Sequence, residues 1–353
     1  MTNISSPMPN MTLYELLDSF GFDAWKTITE QIALPILNLF GLILCSISTF
    51  IFFQMRKFQD PIFVYYRILC LLYCFSCLEN IPMGVLFSAR YFPHMNTYAS
   101  TVYQIVYAFI GNLIFHYQEL LQIAILLTRM AIFDTFLETK FKPYSPKLVS
   151  LLLFIVSFVI NLSAAFSSTI VVLGEYVYYD AKTNVKQRGI IYDFVNSEFV
   201  DSKLGSLVLG FTYFILNVTC TLFVGIVLNI VSFVQYKLYL RKRRLELMRR
   251  NPNRLNLTPA EEHREKMDRT VERNMLYMII TLVSMSIFSR CIFILGSIYF
   301  LYFANTYANN LVVRVACYFV YSIVPTVSFF IFYLFNRIFR DEFHSLIWSR
   351  IKC

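Results

Sequence analysis

Along this chain, apolar residues gather into seven long blocks separated by short polar or basic segments. Lys147 to Glu175 encloses 27 residues without a formal charge, and Lys203 to Lys237 encloses 33. Each is longer than the roughly 20 residues a helix needs to cross about 30 Å of hydrocarbon. The blocks predict membrane-crossing helices at 32–54, 62–87, 102–133, 148–174, 204–236, 275–303 and 311–335. The fold class expected is an all-α membrane protein, a seven-transmembrane helix bundle. Residues 1–31 form an N-terminal segment, 32–335 the helical domain and 336–353 a short amphipathic tail.

The third block carries the most polar residues. At 100° per residue, Asn112, His116 and Glu119 fall within about 60° of one another. Gln118, Gln122 and Arg129 continue the stripe round the same side. Lipid cannot accept so many polar groups, so the stripe predicts a helix face turned toward other helices or a wet cavity.

Composition agrees with the pattern. The chain is 57% hydrophobic with a mean hydropathy of +0.57, where soluble domains sit nearer about 45–50%. The eight cysteines lie in apolar blocks, apart from Cys353 at the end, and so predict buried thiols in place of a disulfide-stapled ectodomain. Residues 175–203 are mixed in charge and aromatic, long enough for a lid.

The net charge of +9 does not point to nucleic acid, because its distribution follows the membrane. Of the 31 Lys and Arg residues, 21 lie in the tail and in the segments after blocks one, three and five. Six lie in the N-terminal segment and the remaining loops, and four (Arg67, Arg129, Arg290, Arg314) fall within blocks. Positive charge stays in the cytosol, which places the N-terminus outside and the tail inside. Asn3 and Asn10 open glycosylation sequons on the outer side. Three further sequons, at Asn161, Asn217 and Asn256, fall in blocks or cytosol and read as chance.

Depth along the helices sorts the charged residues. Asn112 lies roughly 25 Å from Arg129, Glu79 about 25 Å from Ile62, and Arg290 about 24 Å from Asn274. All three therefore reach the outer half, with His116 slightly deeper and Glu119 deeper again. A charge at that depth needs a partner or water. One expectation is a structural Glu–Arg or Glu–His pair; another is a ligand site built from Glu79, Asn112, His116 and Arg290. Arg129 ends the third block at headgroup level, where it either snorkels or serves as a coupling lock. The segment 237–273 is strongly basic, with Glu272 at the root of the sixth block. In the tail, Phe335, Phe339, Phe343, Leu346 and Ile347 share one face, as in an interfacial helix, and Cys353 is a possible palmitoylation site.

The order of these features resembles the rhodopsin-like (class A) G-protein-coupled receptors, as a divergent invertebrate seven-transmembrane member. Thr128-Arg129-Met130 stands where the family has Asp-Arg-Tyr. Phe288-Ser289-Arg290-Cys291-Ile292 resembles Phe-x-x-Cys-Trp, and Asn336-Arg337-Ile338-Phe339-Arg340 resembles Asn-x-x-Phe-Arg. The family's Asn-Pro-x-x-Tyr becomes Ser328 to Phe332, with Pro325 and Tyr333 nearby. The second block lacks a mid-depth acidic residue, the fourth a Trp and the fifth a Pro, and the outer cysteine pair is absent. The family's amine-binding aspartate falls on Gly111, which argues against a monoamine. The resemblance implies a plasma-membrane receptor carrying the signal of an extracellular peptide or small chemosensory molecule to a heterotrimeric G protein. It also implies coupling roles for Arg129, Glu119, Glu272, Tyr333 and Asn336.

A ligand-gated channel or transporter is the alternative; inverted repeats or broken mid-membrane helices would favour it. An enzyme is not expected, since the four histidines are scattered without ligand spacing. Neither a metal nor a cofactor is expected.

Overall fold

The structure, a computed structural model, describes residues 32–54, 61–89, 98–133, 137, 139–140, 144–180, 185–211, 221–250, 259–302 and 307–351. Asn3, Asn10 and Cys353 lie outside the described residues. The helices are α1 (Leu34–Gln54), α2 (Pro61–Ala89), α3 (Tyr98–Phe133) and α4 (Pro146–Ala165). After an antiparallel hairpin of β1 (Ser168–Asp180) and β2 (Val185–Asn196) come a single turn at Glu198–Asp201 and α5 (Lys203–Gly210). The chain continues through α6 (Thr221–Arg250), α7 (Pro259–Tyr302), α8 (Tyr307–Phe335) and α9 (Arg337–Ile351).

Six helices contain segments long and apolar enough to cross a bilayer. These are Leu34–Gln54, Ile62–Ile81, Phe109–Ala131, Pro146–Ser163, Leu222–Lys242 and Arg273–Gly296. The seventh, Phe319–Phe335, passes together with Arg337–Trp348, from which it is bent by 99°. Large apolar side chains face outward on these helices, and on α4 burial is the reverse of a soluble protein's. On α4 the buried positions are Ser150, Ser157 and Asn161, while Leu148, Leu151, Leu152, Ile155 and Val159 are exposed. On α1, Asn38 and Ser48 face inward while Ile36, Phe40 and Phe50 face outward. Apolar surface this extensive is stable only against lipid, and small polar residues at the interfaces let helices approach closely. The protein is a multi-pass membrane protein.

Close approach is sharpest at Gly41. A Cβ there would stand 2.7 Å from Thr326 Oγ1 and 3.0 Å from Cys77 Sγ, so α1, α2 and α8 meet where only a hydrogen fits. Nearby, Asn38 donates to Leu34 O at 2.8 Å and Ser322 Oγ at 3.2 Å. The Cys45 thiol donates to the carbonyl of Pro325 at 3.3 Å, so side chains from α1 serve the stretch of α8 that its internal proline disturbs.

The fourth block does not run to residue 174 as one helix. It stops at Ala165, and Ser168 begins a strand that pairs with β2 from Ser168↔Asn196 to Asp180↔Val185. The β-branched run Thr169-Ile170-Val171-Val172 favours extended backbone over helix. A bulge falls between Val172 and Gly174. At the root, Ser197 N donates to Ser167 O at 3.0 Å and Ser197 Oγ donates to Phe166 O. The segment at 175–203 thus takes in the latter part of β1, all of β2 and the turn at Glu198–Asp201, and the hairpin packs on α3.

The basic segment at 237–273 is helical at both ends. α6 runs on to Arg250 and α7 starts at Pro259, so α7 begins 16 residues before the expected Met275.

At the same end of the bundle as Arg129, aromatic rings from three helices interlock. Phe52 meets Phe332 edge-on at 5.0 Å and Phe339 at 5.2 Å, and Phe329 meets Phe343 at 5.5 Å. Phe52, Phe332 and Phe339 are fully buried. The chain turns the corner into α9 on Asn336, whose Oδ1 accepts from Phe339 N at 3.1 Å, an N-cap bond. Asn336→Ala is expected to weaken the seating of α9 by about 1 kcal/mol. Hydrogen exchange of 337–351 in detergent micelles should rise accordingly, with α1 to α4 unchanged.

Candidate functional site

The polar side chains of α3 do not share one cavity. His116 Nδ1 lies 3.0 Å from Oδ1 and 2.8 Å from Nδ2 of Asn161 on α4. Gln118 Nε2 donates to Ser76 Oγ on α2 at 2.8 Å. Gln122 Nε2 reaches Tyr73 OH on α2 at 3.1 Å and Ser286 Oγ on α7 at 2.8 Å. Each of these α3 side chains is buried. In a medium without water they are satisfied by different neighbours, so α3 is the hub that fixes where α2, α4 and α7 stand. Asn161 is spent on this network, inside the bundle, which leaves its sequon structural.

At the centre stands an ion pair. Arg290 Nε donates to Glu119 Oε1 at 2.7 Å and Nη2 donates to Glu119 Oε2. The side chains are 4% and 10% exposed. The fork is bidentate, the geometry in which a guanidinium and a carboxylate fit best. One turn along α3, the ring of Phe115 lies under the guanidinium with its centroid 4.0 Å from Cζ. Phe115 also touches the Tyr321 ring of α8 at 5.2 Å. Sequence reading offered a structural Glu–Arg pair as one expectation and, as another, gave Arg290 to ligand binding and Glu119 to coupling; the structure pairs the two with each other. Ser286 sits one turn before Arg290 on α7, so the contact pairs two residues with Glu119 and Gln122.

Beside the pair is a small cavity lined by Glu119, Gln122, Ile123, Leu222, Gly225, Val283, Ser286, Ile287 and Arg290. Its ≈ 20 Å³ of room for water centres accommodates about one water molecule. Glu119, Gln122, Ser286 and Arg290 border it from α3 and α7, Leu222 and Gly225 from α6, and its lining is mostly apolar.

Glu79 and Asn112 lie farther along, both half-buried. Glu79 crosses from α2 onto the bare backbone of Gly111, where a Cβ would stand 3.1 Å from its Oε1. A carboxylate from α2 thus reaches α3 at the position left open by the missing side chain. Glu79 and the Glu119–Arg290 pair belong to neighbouring levels.

Toward the opposite end, Arg129 is 7% exposed, so its side chain turns into the bundle. Glu272 falls on α7, 18 residues before Arg290. Tyr333 OH is 3.1 Å from His344 Nε2, and its ring meets Phe343 at 5.6 Å, so it ties α8 to α9. Asn336 is the cap described above. Among the described residues, no three His, Cys, Asp or Glu side chains come together as metal ligands.

Sequence reasoning missed Phe115, Tyr73, Ser76, Asn161 and Ser286 as partners. The signal was there for Asn161 and Ser286: each is a polar residue within an apolar block, in line with another (Ser157, Arg290) at helical spacing.

No protein-family model matches the sequence, and no curated protein resembles it significantly. Among solved structures, the crystal structure of squid rhodopsin aligns over 93% of this chain and 87% of that one. The TM-score is 0.62 and the sequence identity 12%. The chain has that fold, with sequence almost wholly its own.

The His116–Asn161 bond is open to a double-mutant cycle. His116→Ala and Asn161→Ala are expected to lower thermal stability by less in combination than their sum. The coupling should be about 0.6 kcal/mol, the average for hydrogen bonds between membrane helices. Strict additivity in detergent melts would remove the bond from the account of how α4 is held.

Proposed function

We propose that the chain is a plasma-membrane receptor that carries an extracellular ligand's signal to a heterotrimeric G protein. The observation that supports this best is the squid rhodopsin fold, extending over 93% of the chain, with Arg129 buried at the end of its third helix. A headgroup-level arginine that merely snorkelled would point its guanidinium to water. One turned inward is placed to exchange partners when the bundle opens.

The charge distribution supports an extracellular N-terminus and a cytosolic tail. In that orientation Asn112 and Glu79 lie toward the outside, and Arg129, Glu272, Tyr333 and Asn336 toward the cytosol. The ligand site is then the level of Glu79 and Asn112, with the Glu119–Arg290 pair as its floor. Arg290 is a floor residue whose charge is already neutralised, and His116 is spent on Asn161. Glu79, lying against bare Gly111, is the acidic residue at that level. A peptide or small polar molecule fits such a site. The extended helices α6 and α7, carrying the basic residues of 237–273, are the coupling surface, and α9 lies along the cytosolic leaflet.

Expression in cells with a second-messenger readout and a ligand screen tests the reading. Arg129→Ala is expected to reach the surface normally and to lower signalling about tenfold, within the range that a coupling free energy of roughly 1–3 kcal/mol gives. Equal signalling by mutant and wild type would return Arg129 to a headgroup anchor. A ligand-evoked ion current that persists when G proteins are blocked would replace the receptor with a channel.

A further inference from the structure

The geometry points to a binding site for a soft monovalent metal ion, of the copper(I) and silver(I) class, between the thiols of Cys45 on α1 and Cys77 on α2. The site lies apart from the polar network of α3 and is independent of the receptor reading.

Four of the chain's eight cysteines line the seam between α1 and α2. Cys70, Cys74 and Cys77 follow at i, i+4 and i+7 on α2, which puts them on one face, and α1 contributes Cys45. All four are free thiols; Cys45, Cys70 and Cys77 are fully buried, and Cys74 is half-buried. Gly41 is what brings the sulfurs close. With no side chain there, α1 approaches α2 until a Cβ would stand 3.0 Å from Cys77 Sγ. Cys45 follows one turn later on the same face of α1, and its thiol is within hydrogen-bonding reach of the Cys77 thiol. At the edge of the seam, Cys74 Sγ lies 3.7 Å from Thr49 Oγ1 and 3.8 Å from Ser46 Oγ. The thiols thus run in a row from that edge to the interior.

A single buried cysteine packs as a small hydrophobe. Two facing thiols in a dry seam offer a pair of soft donors, the ligand type that selects copper(I). A closed-shell monovalent ion is content with two sulfurs in line, so the site needs no third ligand of the kind a tetrahedral ion demands. The hydrogen bonds say which proton an ion would replace. Cys45 donates its S–H to the carbonyl of Pro325 at 3.3 Å, so the hydrogen shared between the two sulfurs is that of Cys77. On binding, the S–H bond of Cys77 breaks and its proton leaves with the water that delivered the ion. One metal–sulfur bond forms to the Cys77 thiolate and another to a lone pair of the Cys45 thiol. An ion of charge +1 with one thiolate and one thiol is a neutral complex, the form that a low-dielectric medium tolerates. It would clamp α1 to α2 beside the proline-disturbed stretch of α8.

The test uses the full chain in lipid nanodiscs, kept reduced and titrated with copper(I) from a competing chelator and separately with silver(I). X-ray absorption at the metal edge identifies the neighbouring atoms, and thermal melts follow the clamp. One ion per chain, two sulfur neighbours, one proton released and a raised Tm are expected. Cys45→Ser and Cys77→Ser, which exchange sulfur for a hydroxyl of similar reach, should each weaken binding about a hundredfold or more, at least what losing an outer-shell partner costs. Cys317→Ser, whose thiol faces Ile292 O at the contact of α7 and α8, should bind as wild type does. Should a serine variant at the seam fail to fold, the wild-type spectrum decides. Oxygen or nitrogen neighbours there, or zinc(II) held as tightly as copper(I), would overturn the site. Binding that survives both seam substitutions would mean an adventitious ion only, and binding lost in Cys317→Ser would place the ion elsewhere; each overturns it. None of these outcomes bears on signalling, so the receptor reading stands or falls by its own assay.

Discussion

Every arrangement in this protein depends on the need to satisfy polar side chains where no water reaches. α3 buries His116, Gln118, Glu119, Gln122 and Arg129 within a helix packed among its neighbours. Each unpaired group would cost several kcal/mol, far more than any packing preference among leucines and phenylalanines. The neighbouring helices are therefore positioned by the reach of those side chains. Asn161 brings in α4, Ser76 and Tyr73 bring in α2, and Ser286 and Arg290 bring in α7. Van der Waals packing fills the spaces between, and the lipid-facing sides of α1 and α4 need only be apolar.

This explains how the squid rhodopsin fold persists at 12% identity. The outward positions accept any apolar residue, and the inward ones accept any set of polar partners that closes its own bonds. Here a Gln122–Tyr73–Ser286 junction and a Glu119–Arg290 fork do that work. The corner after α8 shows the same freedom. The bend is held by an asparagine cap, a tyrosine bonded to His344 and interlocked rings from Phe52, Phe329, Phe332 and Phe339. None of these needs the neighbouring Pro or Tyr to stand in a particular register.

The helices and their inward faces were legible in the sequence because both follow from one-dimensional rules: the length of an uncharged run, and the period at which polar residues recur. Partners were not legible, because the period of α3 fixes angles on its own axis and says nothing of which helix stands at each angle. His116 and Gln118 sit far apart round the axis yet belonged to a single stripe when read alone. The end of α4 was missed for a different reason. Ser168 to Leu173 is as apolar as the helix before it, so hydropathy could not separate a span from a strand, and only the β-branched run marks the change. Glu79 was legible as an acidic residue at depth, but its contact with Gly111 was not, because the position that receives it has no side chain.

Between the level of Glu79 and that of Arg129, the sequence supplied separate roles for a ligand site and a coupling end, with nothing to connect them. The Glu119–Arg290 pair supplies the connection in physical terms. It is bonded across α3 and α7, and it is about 15 Å along α3 from Arg129. A rigid helix moves as a unit over that length, so a change in the angle between α3 and α7 at Glu119 is expressed at Arg129 without a relay of intermediate side chains. On the proposed receptor reading, the helices that the polar network holds in place are also the ones that would carry a signal.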